Sequence, residues 1–481
     1  MLPHAPSSYH WIFDPVCVLK HCLALIPGPD CEKKTDKVLD STSPRTTAES
    51  TRDPKRILWV RVGGCLPLNS GGRIRSHHTL THMLGRCRLH LLELHRECEA
   101  PFQEQVPYAH ALERVLFPGL PAWSPSQFAR FAWPLLRNYA TSREPFALER
   151  YHSRDFFEVV KERTLSGEFD LVVCDGLAAA AAFEGWEKQR GIPAILFQHN
   201  VEALIWERLA SVRRHLIHQL YFHVLAKRMR RREPELCRLF DGVITISQED
   251  AAYHRDSYGL SNVLGCVPAG ASTDPRGAPP SVIEVPESPC IAFLGSMDWL
   301  PNQDAVVWFI EEILPRLRKS ISGIRISVIG RNPPERLLRL TAHDAGIQFT
   351  GTVEDVSAPL RECTLMVVPL RAGSGARIKI LESMAAGVPV VSTTVGAEGL
   401  PLNSNQDLLM ADDVPGITNA ILRLLNNDEL RRDLAENGLR RIARDFSWSH
   451  SADCFFQLTA GLKSRGRPAQ VRAPGAYSAT P

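Results

Sequence analysis

Short apolar runs that end in glycine-rich or polar loops and then pass into helix-compatible stretches occur in two successive series along this chain. "RILWVRV" (Arg56 to Val62) leads into a loop with Gly63, Gly64, Ser70, Gly71 and Gly72, and then into a helix-compatible stretch from Arg73 to Leu84. "DLVVCDG" (Asp170 to Gly176), "PAILFQHN" (Pro193 to Asn200) and "DGVITIS" (Asp241 to Ser247) repeat the pattern. Runs this apolar suit parallel strands covered on both faces, and strands alternating with helices predict a doubly wound α/β domain. Between Val267 and Pro289 prolines and small residues dominate, as in an interdomain linker. A second series follows: Cys290 to Ser296, Arg325 to Arg331, Ile347 to Val353, Leu365 to Leu370 and Val388 to Thr394. Helical stretches at Asp304 to Leu317, Ile378 to Ala386 and Gly416 to Leu425 supply its crossovers. The expected organisation is a disordered extension over 1–55, a Rossmann-like domain over 56–266, a linker over 267–289 and a second Rossmann-like domain over 290–445. A final helix over 446–463, built on Trp448 to Leu462, and a disordered tail over 464–481 complete it. Two such domains turn the carboxyl ends of their sheets toward a central cleft, where open α/β sheets bind ligands.

Composition removes several other classes. A length of 481 residues exceeds one usual core, and the net charge of +3, from 56 Lys and Arg against 53 Asp and Glu, gives no global field for nucleic acid. The 12 cysteines contain no C-x-x-C pair, so neither a zinc site nor a redox motif is indicated and reduced thiols in cytosol are expected. No apolar run reaches the roughly 18 residues needed to cross a bilayer. The apolar segment from Trp11 to Pro27 is interrupted by Asp14, Lys20 and His21. From Arg208 to Arg232 there is no acidic residue, and "AKRMRRR" lies beside Leu209, Val212, Leu216, Leu220 and Val224. Two readings of that stretch stay open: a basic amphipathic helix that docks on anionic lipid, or a helix packed on its own domain with a solvated basic face. The expected location is cytoplasmic, with peripheral contact at the inner face of the plasma membrane through 208–232.

The richest chemistry lies in "PLRAGSGARIKILESMAAGVPVVSTT", Pro369 to Thr394. A loop with Gly373, Ser374 and Gly375 feeds a helix, and exposed N–H groups at a helix start attract anions. Arg377 and Lys379 stand at that positive end, an unfavourable place for cations unless an anion compensates them. One turn on, Glu382 can accept two vicinal hydroxyls, as on a ribose. The alternative is a surface glutamate paired to Lys379 or simply solvated.

From Arg56 to about Leu462 the chain resembles retaining glycosyltransferases of the GT-B fold, in the group 1 or family-four class, most strongly in "GSGARIKILESMAAGVPVVSTTVGAEGL". The resemblance implies that a nucleotide-diphosphate sugar is the donor substrate, with no separate cofactor. Glu382 then binds the ribose, while Gly373, Ser374 and Gly375 hold the diphosphate and the transferred sugar. Gly71 and Gly72 approach the donor phosphate and acceptor, and His199 lines the cleft near the transferred sugar. Gly295 and Ser296 follow the first strand of the second domain, Gly330 and Arg331 close another strand, and Gly351, Val353 and Asp355 meet the nucleobase. Glu202 and Trp206 either contact acceptor or pack; Arg73 and Arg75 either add charge or are solvated. Two departures stand out. The class has a sugar-binding glutamate where this chain has Ser374, and an Arg and a Lys gripping the diphosphate where it has Ser296 and Asn302. Arg377 and Lys379 are expected to restore that charge from the opposite side, stabilising the leaving group without a metal; with His199 they are the expected catalytic residues. The implied reaction is sugar transfer with retention to a saccharide or lipid-linked acceptor in exopolysaccharide or glycoconjugate synthesis. A nucleotide-sugar epimerase on the same fold and an inactive nucleotide-sugar-binding scaffold remain as alternatives.

Overall fold

The computed structural model describes residues 54–66, 68, 70–96, 106–117, 137–138, 141, 142–213, 215–271, 288–375 and 377–462. The expected extension before Pro54, most of the linker (272–287) and the tail after Leu462 lie outside the described residues.

Among the described residues thirteen strands form two sheets whose strand pairs all run parallel. The first has the order β3-β2-β1-β4-β5-β6-β7, from β1 (Lys55–Val62), β2 (Cys87–Arg96), β3 (Ala111–Phe117), β4 (Leu171–Asp175), β5 (Ala194–Phe197), β6 (Gly242–Thr245) and β7 (Val263–Cys266). The second has the order β10-β9-β8-β11-β12-β13, from β8 (Cys290–Leu294), β9 (Arg325–Ile329), β10 (Ile347–Gly351), β11 (Leu365–Val368), β12 (Val390–Ser392) and β13 (Leu409–Met410). The order of connection reverses between β1 and β4 and again between β8 and β11, which opens a crevice at the carboxyl end of each sheet. Together the two sheets and their helices make the GT-B fold.

The helices that shape the site are α1 (Gly71–His82), α2 (Glu202–Val212), α3 (Leu216–Cys237), α4 (Gln248–Asp256), α5 (Leu300–Trp308), α6 (Ile378–Ala385), α7 (Thr394–Ala397) and α8 (Trp448–Thr459). Local chemistry fixes several of their ends: the Ser247 side chain accepts from Asp250 N at the start of α4, and Thr393 does the same for Gly396 N at α7. The apolar stripe of α6, Ile380, Leu381 and Met384, is buried in the second core, which leaves Lys379 and Glu382 on the other face.

Strands β2, β3, β7 and β13 were not expected from the sequence. In β2 the apolar residues alternate with Arg88, His90, Glu93 and His95, so the run lacks the continuous apolar signature of its neighbours. Glu93 is nonetheless fully buried, because His95 Nε2 lies 2.8 Å and Arg114 Nε 3.3 Å from its carboxylate. The single basic helix expected over 208–232 is two helices, α2 ending at Val212 and α3 starting at Leu216.

The last helix, α8, returns to the first sheet. Phe455 is fully buried with its ring centroid 5.7 Å from that of Trp59 and 6.2 Å from that of Phe197. Truncation there removes a large side chain from a closed core, so Phe455→Ala is expected to lower stability by about 3–5 kcal/mol in chemical denaturation. A change under about 1 kcal/mol, the scale of an ordinary surface substitution, would show that α8 does not complete this core.

Candidate functional site

Three groups of residues meet where the two carboxyl ends face each other. The first gathers around Asp175, the last residue of β4. Its carboxylate is fully buried and accepts from Trp59 Nε1 (3.1 Å), Ser76 Oγ (2.7 Å) and Arg75 Nη2 (3.1 Å), with Arg61 Nη1 at 3.4 Å. His199 Nε2 lies 2.5 Å from Asp175 Oδ1 and also against Arg75 Nη2. With its hydrogen on Nε2 the imidazole donates to Asp175; with it on Nδ1 it accepts from Arg75. Burial opposes the charge on Asp175, but His199, Arg61 and Arg75 outweigh it and hold the carboxyl far below the usual range. Burial and the neighbouring Arg75 push His199 down to about 4, so the ring is neutral near pH 7. Its other edge faces Gly72 in the first turn of α1, while a Cβ on Gly71 would meet nothing within 4 Å among the described residues.

The second group lies after β8. Gly295 brings the backbone so close to α5 and α6 that a Cβ there would stand 2.6 Å from Asn302 Nδ2 and 2.8 Å from Lys379 Nζ. Lys379 Nζ donates to Asn302 Oδ1 (2.8 Å) and lies 4.7 Å from the Phe293 ring centroid. Among the described residues no carboxylate forms an ion pair with it. Burial, with Arg377 nearby, lowers its pKa to about 7 despite the attraction of Glu382. Asn302, the residue standing where the resembled class has lysine, is thus the residue that holds Lys379. Ser296 Oγ accepts from Arg331 Nε (3.2 Å), and the Arg331 guanidinium is balanced by Asp298 at 3.0 Å.

Glu382 belongs to the third group, on the wall of a cavity of about 490 Å³. Leu68, Ile74 and His78 line it from the first half, Glu354 to Ala358 and Arg361 from the second. Val353 packs against the second core just before that lining segment. Burial raises Glu382 to about 7, with Lys379 opposing and Asp355 adding to the rise. His78 stacks on Trp448 with centroids 5.1 Å apart and planes 14° from parallel, forming one rigid side of the cavity.

Arg377 departs from its expected place. Its guanidinium is buried and turned back onto its own loop, donating to the carbonyls of Ser374, Gly375 (2.6 Å) and Val395 (3.3 Å). Three of its five N–H donors go to these carbonyls while Nε has no hydrogen-bond partner among the described residues, so Arg377 braces the loop and Lys379 is the cation that α6 itself carries beside Glu382. Ser374 is likewise buried, and its hydroxyl faces the first half of the molecule. Sequence reasoning did not single out Asp175 or Arg208. An aspartate ending the apolar run "LVVCD" was the available signal for the first; partners distant in sequence hid the second.

Residues 288–427 match the family model of the group 1 glycosyl transferases. Phosphatidyl-myo-inositol mannosyltransferase of Mycobacterium leprae is 27% identical over 239 residues, covering 48% of this chain and 62% of that protein. The GDP-mannose-dependent alpha-(1-6)-phosphatidylinositol monomannoside mannosyltransferase of Mycobacterium tuberculosis is 26% identical over 237 residues, covering 44% and 60%. This chain therefore spans less than two thirds of the length of these curated relatives. Among solved structures, sucrose-phosphate synthase from Thermosynechococcus elongatus aligns with a TM-score of 0.60 at 18% identity over 84% of this chain and 98% of its own. HepE from Anabaena, in complex with UDP and glucose, aligns with a TM-score of 0.59 at 13% identity over 85% and 100%.

Removing the Asp175 charge would leave Arg61 and Arg75 buried without their counter-ion. Asp175→Asn is expected to cost about 3 kcal/mol or more in denaturant unfolding, and a stability equal to wild type would refute the central role of this carboxylate.

Proposed function

We propose that this chain, whose residues 288–427 match the group 1 glycosyl transferases, moves a hexosyl group from a nucleotide-diphosphate sugar to an acceptor hydroxyl with retention. The observation that carries the proposal is the cavity shared by both halves, with Glu382 on its wall and Lys379 on the same helix. In this reading Glu382 accepts the ribose hydroxyls, and the segment Glu354 to Ala358 meets the base. Lys379 and the start of α6 meet the diphosphate, whose charge grows as the bond from the anomeric carbon to its oxygen breaks. The acceptor oxygen bonds to that carbon from the same face, and its proton passes to the departing phosphate oxygen. In the same reading His199, neutral and fixed by Asp175, contacts the transferred sugar. Closure of both halves around the donor excludes water and limits hydrolysis. The product class proposed is an exopolysaccharide or other glycoconjugate, made at the cytoplasmic side from a saccharide or lipid-linked acceptor.

Calorimetry with UDP, GDP and their sugar conjugates tests the donor site. A bound diphosphate raises the pKa of Lys379 from about 7. Binding at pH 8 is therefore expected to take up protons, and affinity to fall as pH rises from 7 toward 9. Lys379→Met should abolish the proton uptake, and Glu382→Ala should weaken binding by about tenfold or more. Binding without proton uptake in wild type would remove Lys379 from the site. Nucleotide binding without sugar transfer to any acceptor would favour the scaffold reading.

The reading of 208–232 as a lipid-docking basic face changes with the structure. Arg230 pairs with Glu207, Arg231 with Glu235, and Arg232 with Glu144, Glu184 and Glu235, while Arg228 donates to Asn138. The four arginines of the run are engaged within the protein, and the large exposed feature is apolar: Leu216 (79% exposed), Ile217 (65%) and Leu220 (59%) at the start of α3. Peripheral membrane contact is therefore proposed through these three side chains. Vesicle co-sedimentation should fall when all three become serine and depend little on anionic lipid content; binding that needs anionic lipid and survives the substitutions would return the role to the basic residues.

A further inference from the structure

The loop that carries Gly373, Ser374 and Gly375 is hydrogen-bonded directly to the opposite half of the molecule. Arg208, on α2, donates from Nη1 to the Gly373 carbonyl at 2.5 Å. The same guanidinium grips Glu398, just after α7, through both carboxylate oxygens, at 2.5 and 2.7 Å. Ser374 Oγ accepts from Val201 N at 2.8 Å and donates to Asp250 Oδ1, on α4, at 3.2 Å. Gly375, at φ +81°, packs so tightly that a Cβ would stand 2.4 Å from the His199 carbonyl and 2.6 Å from Asn200 Oδ1. Only glycine takes both that backbone angle and that approach without strain.

We propose that Arg208 is a positioning residue that reaches across the cleft to hold the 373–375 loop in its donor-binding shape, with Ser374 as the second point of the same clasp. The inference rests on the reading of this loop as the donor loop. Arg208 acts at a distance from any reacting atom: its two-oxygen bond to Glu398 fixes the end of α7, and its bond to Gly373 fixes the loop. Arg377, donating to Ser374, Gly375 and Val395 carbonyls, ties the same two pieces together from within the second half. The clasp also accounts for the serine. Position 374 is 2% exposed and faces Asp250, so a glutamate there would set two carboxylates against each other in a buried site. A short hydroxyl instead satisfies one donor and one acceptor across the interface.

Charge reversal separates this role from simple packing. Arg208→Glu, Glu398→Arg and the double variant are to be compared by small-angle scattering and by calorimetry with UDP and GDP. Expected are a larger radius of gyration and about tenfold or greater weakening of the bound nucleotide in each single variant, at wild-type melting temperature, with the compact profile and part of the affinity restored in the double. Unchanged scattering and affinity in Arg208→Glu, or a double variant no better than the singles, overturns the proposal. If Arg208→Glu fails to fold, Arg208→Gln carries the same two readouts. A wild-type protein that binds neither nucleotide overturns the donor reading and the positioning role with it, whatever the scattering shows.

Discussion

The cleft is organised by one buried carboxylate. Asp175 closes β4 at the point where the first sheet reverses its order of connection, and it gathers donors from β1 (Trp59, Arg61), from α1 (Arg75, Ser76) and from the end of β5 (His199). Two arginines could not be buried there without it, and it could not be buried without them. The orientation of the His199 ring, the approach of α1 and the position of Gly72 all follow from that arrangement. Across the cleft the logic is reversed: Lys379 is partly buried beside an amide and an aromatic face, with no carboxylate paired to it among the described residues, in a setting that favours an anion from outside the protein.

Much of the architecture was readable because parallel strands covered on both faces are written as continuous apolar runs; β1, β4, β5 and β6 in one sheet and β8, β11 and β12 in the other carry that signature. Strand β2 did not, since Glu93 and His95 sit inside it and become tolerable only through partners on the same and the neighbouring strand. The same division runs through the site. Glu382 and Lys379 share a short helix, and helical spacing alone sets them on a common face. The direction of Arg377 depends on where Val395 falls, and the role of Ser374 on Val201 and Asp250, contacts across 18, 173 and 124 positions of sequence. Local periodicity carries no information over such separations.

The basic run in α3 shows the same limit for surfaces. Read along the sequence, "AKRMRRR" is a block of uncompensated charge, because the nearest acidic residues before it lie outside the stretch. In the fold, Glu144, Glu184 and Glu207 arrive from other elements and meet those cations directly. What a helix offers to a partner is the charge left after such pairing, and here that remainder is small beside the apolar residues at its start.

Helix α8 has a consequence for how the chain reaches this state. The aromatic cluster under the first sheet needs Phe455, which is separated from Trp59 in sequence by the rest of the first domain and the whole second sheet. During synthesis the first sheet therefore emerges with part of its underside unfinished, and that face stays open until the other domain has been made. The domain that begins first is completed last, so the two halves mature as one unit and not in the order in which they are translated.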